Sequence, residues 1–264
     1  MNILISTIIR DSIRSIDIWF DQINRIIDLC PNDKFYLSVY ENDSVDGTKE
    51  KLKSFNYKKI EKCFITSENL GEIKYPSVSC ENRVKLLASY RNKTLNQVEN
   101  IQIFDKILSI EPDILYIPED VIKLIFSDFD IYSGFSLRCR YEDISNLNFN
   151  TELWIKNLEE KLYSGWTHGV RDGWATRKND TEINGIIDEK AYFDLYKDDV
   201  PLQSTYSSFA VYNPMPIKNG ARFGFINEKY NKFDCDTAVI CQEFNKLGYN
   251  NIYMNKNIKI LHIE

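Results

Sequence analysis

The chain has 264 residues, 43% of them hydrophobic, with a formal net charge of −6. That much apolar material builds a large core in one domain or two close lobes. The acidic balance excludes the overall basic footprint of a dedicated nucleic-acid binder. Six cysteines stand without CxxC spacing, which predicts buried free thiols in a reducing compartment.

The apolar stretch Ile3–Ile9 meets Arg10-Asp11 at once. It is too short to span a membrane and carries neither a basic flank nor a small-residue cleavage site, so it reads as a strand buried on both faces. The expectation is a soluble chain, cytoplasmic or otherwise, with no signal peptide or transmembrane segment. Ile13, Ile16, Trp19, Phe20, Ile23, Ile26 and Ile27 then recur at helical spacing, with Asp11 or Ser12 as cap and Pro31 as stop. Residues 35–40 form a second strand, Thr48 caps a helix to Phe55, and Cys63 opens a third strand. Residues 66–80 are irregular, and 81–98 read as a helix. Residues 113–117 make a short buried strand closed by Pro118-Glu119-Asp120, and a further helix runs to Phe126.

The second half is less regular. A strand and loop are expected over 131–150, a helix over 152–162 and a glycine- and tryptophan-rich loop over 164–185. A strand over 203–212, a helix over 237–247 and a closing strand over 252–263 complete the chain. Strand–helix alternation predicts a mostly parallel α/β sheet flanked by helices. The expected organisation is one domain over 1–264, in two halves, 1–127 and 128–264.

In open α/β sheets ligands bind outside the carboxyl ends of the strands. Three such ends carry polar clusters: Thr7 to Asp11, Glu41 to Asp46, and Glu119-Asp120. The stretch "YENDSVDGTKEKL" holds more acids and amides than a turn needs, so it is either an over-furnished turn or a ligand edge. A carboxylate at Asp120 suits Mg²⁺ or Mn²⁺ shared with a diphosphate, or else simply caps the next helix. Arg91 sits on the apolar face of its helix and needs an acidic or phosphate partner, so it is an ion pair or a contact near the nucleotide. His262, one of two histidines, is a core residue, or a third metal ligand if it lies beside Asp120. Of Asp234 and Asp236, one caps a helix and the other acts on substrate. Trp166, Arg171, Asp172 and Trp174 form a sugar platform or pack on the core.

Together these pieces resemble a metal-dependent glycosyltransferase of the GT-A fold. The closer resemblance is to the fungal capsule-associated α-1,3-mannosyltransferases, glycosyltransferase family 69. It is carried by "LSVYENDSVDGTKEKL", "RVKLLASYRNKTL", "ILYIPEDV", "CDTAVICQEF" and "NIYMNKNIKILH", and extends over about residues 35–262. Glu119 replaces an asparagine of the family pattern, Asp236 a glutamate, and Ser207–Ala210 a tryptophan-containing segment.

The resemblance implies transfer of a hexose, mannose from GDP-mannose, to a sugar hydroxyl of a glycan, with retention. Asp120 would hold Mn²⁺ or Mg²⁺ together with His262. Thr7, Arg10, Glu41, Asp43, Arg91 and Glu119 would form the nucleotide-sugar side. Asp236 would face the sugar, and Trp174 and Asp172 the acceptor. The alternatives are a GT-A enzyme using a UDP-sugar and a non-catalytic glycan-binding module. A nucleotidyltransferase would be expected to carry a glycine-rich, lysine-bearing phosphate loop.

Overall fold

The computed structural model describes residues 1–75, 80–139, 174–178 and 192–263. The expected helix over 152–162 lies outside them, as do Trp166, Arg171 and Asp172. The chain opens with β1 (Asn2–Ile9), α1 (Ile16–Leu29), β2 (Lys34–Asn42), α2 (Thr48–Ser54), β3 (Lys62–Glu68) and α3 (Glu81–Asn96). After a short 3₁₀ turn come β4 (Lys106–Ile110), β5 (Ile114–Tyr116), α4 (Pro118–Ile125) and β6 (Ile131–Cys139). The remainder is β7 (Asp199–Pro201), β8 (Phe209–Tyr212), α5 (Pro214–Lys218), a small β9–β10 hairpin (Ile226–Asn227, Lys232–Phe233), α6 (Asp236–Lys246) and β11 (Ile252–Ile263).

The main sheet runs β3-β2-β1-β4-β8-β6-β11-β5, with β7 also paired to β11. Strands β1 to β4, β6 and β11 point one way. Strands β5, β7 and β8 run against them. The mostly parallel α/β expectation holds.

β1 is buried on both faces, as its unbroken apolar run requires. Ile3 and Ile5 pack with Trp19 and Ile23 of α1, whereas Leu4 faces Ala88 and Leu95 of α3. The two apolar layers of the sheet therefore draw on alternate residues of one strand. Helix α1 starts at Ile16, later than expected, because Asp11 (φ 49°) and a turn at residues 13–15 intervene. Helix α2 is preceded by Gly47 at φ 97°, and Thr48 is its first residue rather than its cap. Gly134 of β6 is required by a close approach where β11 shifts register. A Cβ there would lie 2.8 Å from the Ile258 carbonyl oxygen and 2.7 Å from Ile260 Cγ1.

The sheet curls, and chain length shows why. Four inter-strand steps separate β4 from β5, about 19 Å in a flat sheet. Only Glu111, Pro112 and Asp113 join the two strands, a link that reaches about 14 Å at full stretch. Curling closes the difference and folds the carboxyl edge into a concave rim. Among the described residues no helix is long and apolar enough to cross a membrane, and the described cysteines Cys30, Cys63, Cys80, Cys235 and Cys241 are free thiols.

Candidate active site

A cleft of about 640 Å³ opens along that rim. The ends of β1 and β2 reach it through Arg10, Asp11 and Asn42; α3 contributes Arg83, Tyr90 and Arg91. The β4–β5 link supplies Glu111 and Asp113, and the end of β11 supplies Ile263. One ligand atom each from Glu111, Asp113 and His262 fall within 4.8 Å of one another.

His262 sits opposite Ile114 in the β11–β5 ladder. Its Nε2 is 3.0 Å from Asp113 Oδ2, while the Ile263 amide donates to the Asp113 carbonyl at 2.8 Å. His262 is 3% exposed and does not itself line the cleft, and its Nδ1 has no hydrogen-bond partner among the described residues. Two carboxylates and an imidazole make a donor set that fits Mn²⁺. The buried, unpartnered Nδ1 belongs to a side chain that packing alone leaves incompletely satisfied.

The expected metal ligand Asp120 is elsewhere. Because β5 runs antiparallel to β11, its carboxyl end lies at the opposite edge of the sheet. Asp120 stands there in the first turn of α4 and pairs with Lys123 at 3.0 Å. Glu119 is also at that edge, held by Arg25 near the end of α1 at 2.6 Å. Burial alone would raise the Glu119 pKa, but its own backbone amide and Arg25 bring it below the ordinary value. Neither residue lines the cleft. On the cleft side the acids are Glu111 and Asp113, and His262 stands beside Asp113.

The acid-rich stretch after β2 is largely committed to its own backbone. Glu41 is fully buried, accepting from the Ser44 amide at 2.9 Å and from the Ser67 hydroxyl. Asp46 accepts from the Thr48 hydroxyl and from the Ile13 amide. Asp43, at φ 54°, gathers the amides of Leu70, Gly71 and Glu72. Burial pushes the Asp43 pKa up, yet the Asn42 amide and those three backbone donors bring it below the ordinary carboxylate value. These contacts tie the β1, β2 and β3 ends together and set the rim beside the cleft. Of this corner, Asn42 lines the cleft and Glu41 does not. Thr7 is 2% exposed and does not line the cleft, whereas Arg10 does, donating to the Glu72 carbonyl at 2.8 Å.

Arg91 is 6% exposed and uses every guanidinium nitrogen. Nε donates to Asp236 at 2.8 Å, Nη2 to Glu111 at 2.6 Å and Nη1 to the Tyr206 hydroxyl at 2.9 Å. Burial works against its charge, but Tyr206, Asp236 and Glu111 outweigh that and hold its pKa well above the ordinary value. Asp236 therefore lies behind Arg91, 4% exposed and away from the cleft lining. Neither Asp234 nor Asp236 caps α6, whose cap position is Cys235. Asp234 is fully buried against Arg177, with Nη1 to Oδ2 at 2.8 Å, and accepts from Asn227 at 2.9 Å. Trp174 is half-buried and packs edge-on against Phe233, so it too stands away from the cleft lining.

A curled, mostly parallel sheet with acids and arginines at its carboxyl rim defines an α/β protein of the GT-A glycosyltransferase type. The same fold is found in S. aureus TarS, solved in complex with UDP-GlcNAc (11% identity, TM-score 0.54). It is found also in the mannosyltransferase PcManGT from Pyrobaculum calidifontis, solved with GDP-Man and Mn²⁺ (11% identity, TM-score 0.50). The matches cover 100% and 99% of this chain but 59% and 56% of those chains, so it spans less than two thirds of either. No curated protein matches the sequence. The chain belongs to the Cryptococcal mannosyltransferase 1 family, whose profile matches residues 2–243.

Glu111 and Asp113 escaped the sequence reading. Their signal was the run Lys106–Ile110 closing on Glu-Pro-Asp, an apolar strand followed by two acids.

Proposed function

We propose that this chain is a metal-dependent glycosyltransferase moving a hexose, mannose from GDP-mannose, to a hydroxyl of a glycan acceptor. The observation that carries the reading is that Glu111 and Asp113 line one cleft with Arg10 and Arg83, and that the buried His262 offers a ligand atom within 4.8 Å of both. Glu111, Asp113 and neutral His262 would hold the metal; an imidazole nitrogen in the set favours Mn²⁺ over Mg²⁺. A bound metal supplies charge neutralisation as the nucleoside diphosphate departs. Arg10, Lys74 and Arg83 bring positive charge to the same cleft and suit a diphosphate. Tyr90, Leu86 and Leu87 give it a largely apolar wall on which a planar base or a sugar ring packs.

The N-terminal half, 1–127, thus serves the nucleotide, and the acceptor side falls to 128–264. Family membership supports mannose as the sugar, and retention follows the resemblance to α-1,3-mannosyltransferases. A thermal-shift panel of GDP-mannose and UDP-sugars, each with and without Mn²⁺, tests the reading. GDP-mannose with Mn²⁺ should stabilise most, by about 2.7 kcal/mol at a hundredfold excess over Kd. Greater stabilisation by a UDP-sugar would move the donor to that class. No metal-dependent stabilisation by any nucleotide sugar would overturn the proposal.

A further inference from the structure

Beneath the cleft lies a buried polar knot that binding alone does not explain. Tyr206 is 1% exposed. Its hydroxyl accepts from Arg91 Nη1 at 2.9 Å, lies 3.1 Å from Ser109 Oγ near the end of β4, and donates to Glu111 Oε1 at 3.2 Å. Arg91 Nη2 reaches the same Glu111 oxygen. The Arg91 guanidinium carbon is 4.8 Å from the Tyr206 ring centroid, and Asp236 fixes the far side of the fork.

We infer that Tyr206, with Arg91 and Asp236 behind it, is a positioning residue that aims the Glu111 carboxylate at the metal. A guanidinium is a rigid planar fork, so pinning two of its nitrogens fixes the direction of the third. Here Asp236 and Tyr206 are the pins and Glu111 is the target. Two donors converging on Oε1 hold the carboxylate by one end and orient the other. Partners that orient a ligand from behind typically change metal affinity about 10- to 100-fold. Asp236 then serves as an anchor for Arg91 rather than as a group acting on the sugar.

The inference rests on the metal reading above, and the test separates the two. Mn²⁺ is titrated by electron paramagnetic resonance into the full chain, with GDP in one arm and UDP in the other. Glu111→Gln and His262→Ala report on the site itself; Tyr206→Phe and Asp236→Asn report on the support. Tyr206→Phe keeps the ring and removes only the hydroxyl. It should weaken Mn²⁺ binding about tenfold, and Asp236→Asn should weaken it similarly, because that carboxylate pins the fork. Melting temperatures of all four variants are measured alongside. If Tyr206→Phe melts lower but binds Mn²⁺ as the parent does, the hydroxyl is merely structural and the inference is wrong. If Tyr206→Phe does not fold, unchanged Mn²⁺ affinity in Asp236→Asn overturns it instead. If the parent binds no Mn²⁺ in either arm, the metal reading itself fails and the inference with it.

Discussion

Replacing Arg91 with lysine keeps the positive charge and discards the fork. In the native protein three nitrogens serve three partners: Asp236, Glu111 and Tyr206. One ammonium on a flexible stem can satisfy one carboxylate well, so at least one buried, charge-assisted hydrogen bond is lost. Such bonds contribute about 1.5–3 kcal/mol each. The abandoned carboxylate is the second cost, since Asp236 has almost no access to water. A net loss of about 3 kcal/mol is therefore expected for Arg91→Lys. Arg91→Ala, which leaves both acids uncompensated, belongs in the range of about 3–5 kcal/mol. For a chain of this size, 3 kcal/mol lowers Tm by about 6–12 °C. Urea unfolding followed by circular dichroism and tryptophan fluorescence reads the free energy directly. A loss below about 1 kcal/mol for Arg91→Lys would refute the reasoning, because the fork would then be dispensable or well solvated.

Two further outcomes follow from the geometry. Asp113→Asn should cut Mn²⁺-dependent sugar transfer by about 100-fold or more, while Asp120→Ala should stay within about twofold and shift stability by no more than about 0.5 kcal/mol; a radiolabelled-donor transfer assay on both variants checks this, and the reverse ranking would return the metal to Asp120. Asp43 titrates below its unfolded-state value, so its stabilisation of the Leu70–Glu72 amides is complete above the unfolded-state pKa of about 3.9. It is lost as pH falls through the lower folded-state pKa. Amide exchange at those three residues should therefore accelerate in acid, after correction for intrinsic rates, and Asp43→Asn should reproduce the loss at pH 7 while tolerating the left-handed backbone; pH-independent protection would contradict the assignment.

Local pattern carried the elements far better than it carried their directions. Ile3–Ile9 reads as a strand buried on both faces because its apolar run is unbroken, and Arg91 stands out on α3 because one cation interrupts an apolar face. Both features are written within a few residues. The three-residue strand Ile114–Tyr116, by contrast, reads identically whichever way it runs. Taken as parallel, it makes Glu119-Asp120 a carboxyl-edge cluster; paired antiparallel with β11, it makes Glu111 and Asp113 the edge and sends Asp120 to the far side.

The acids after β2 mislead for a related reason. Composition alone cannot distinguish a carboxylate facing a ligand from one accepting its own turn's amides, since short acidic side chains do both. Glu41, Asp43 and Asp46 accept from that local backbone or from a neighbouring strand end. What sequence could not supply in either case is the pairing partner, because pairing is a non-local property. Once the order β4-β8-β6-β11-β5 is known, the three-residue link forces the curl. The curl in turn leaves Glu111, Asp113 and His262 little choice but to meet. The site is thus a consequence of a short connection across a wide sheet, and lengthening that link would be the most direct way to pull it apart.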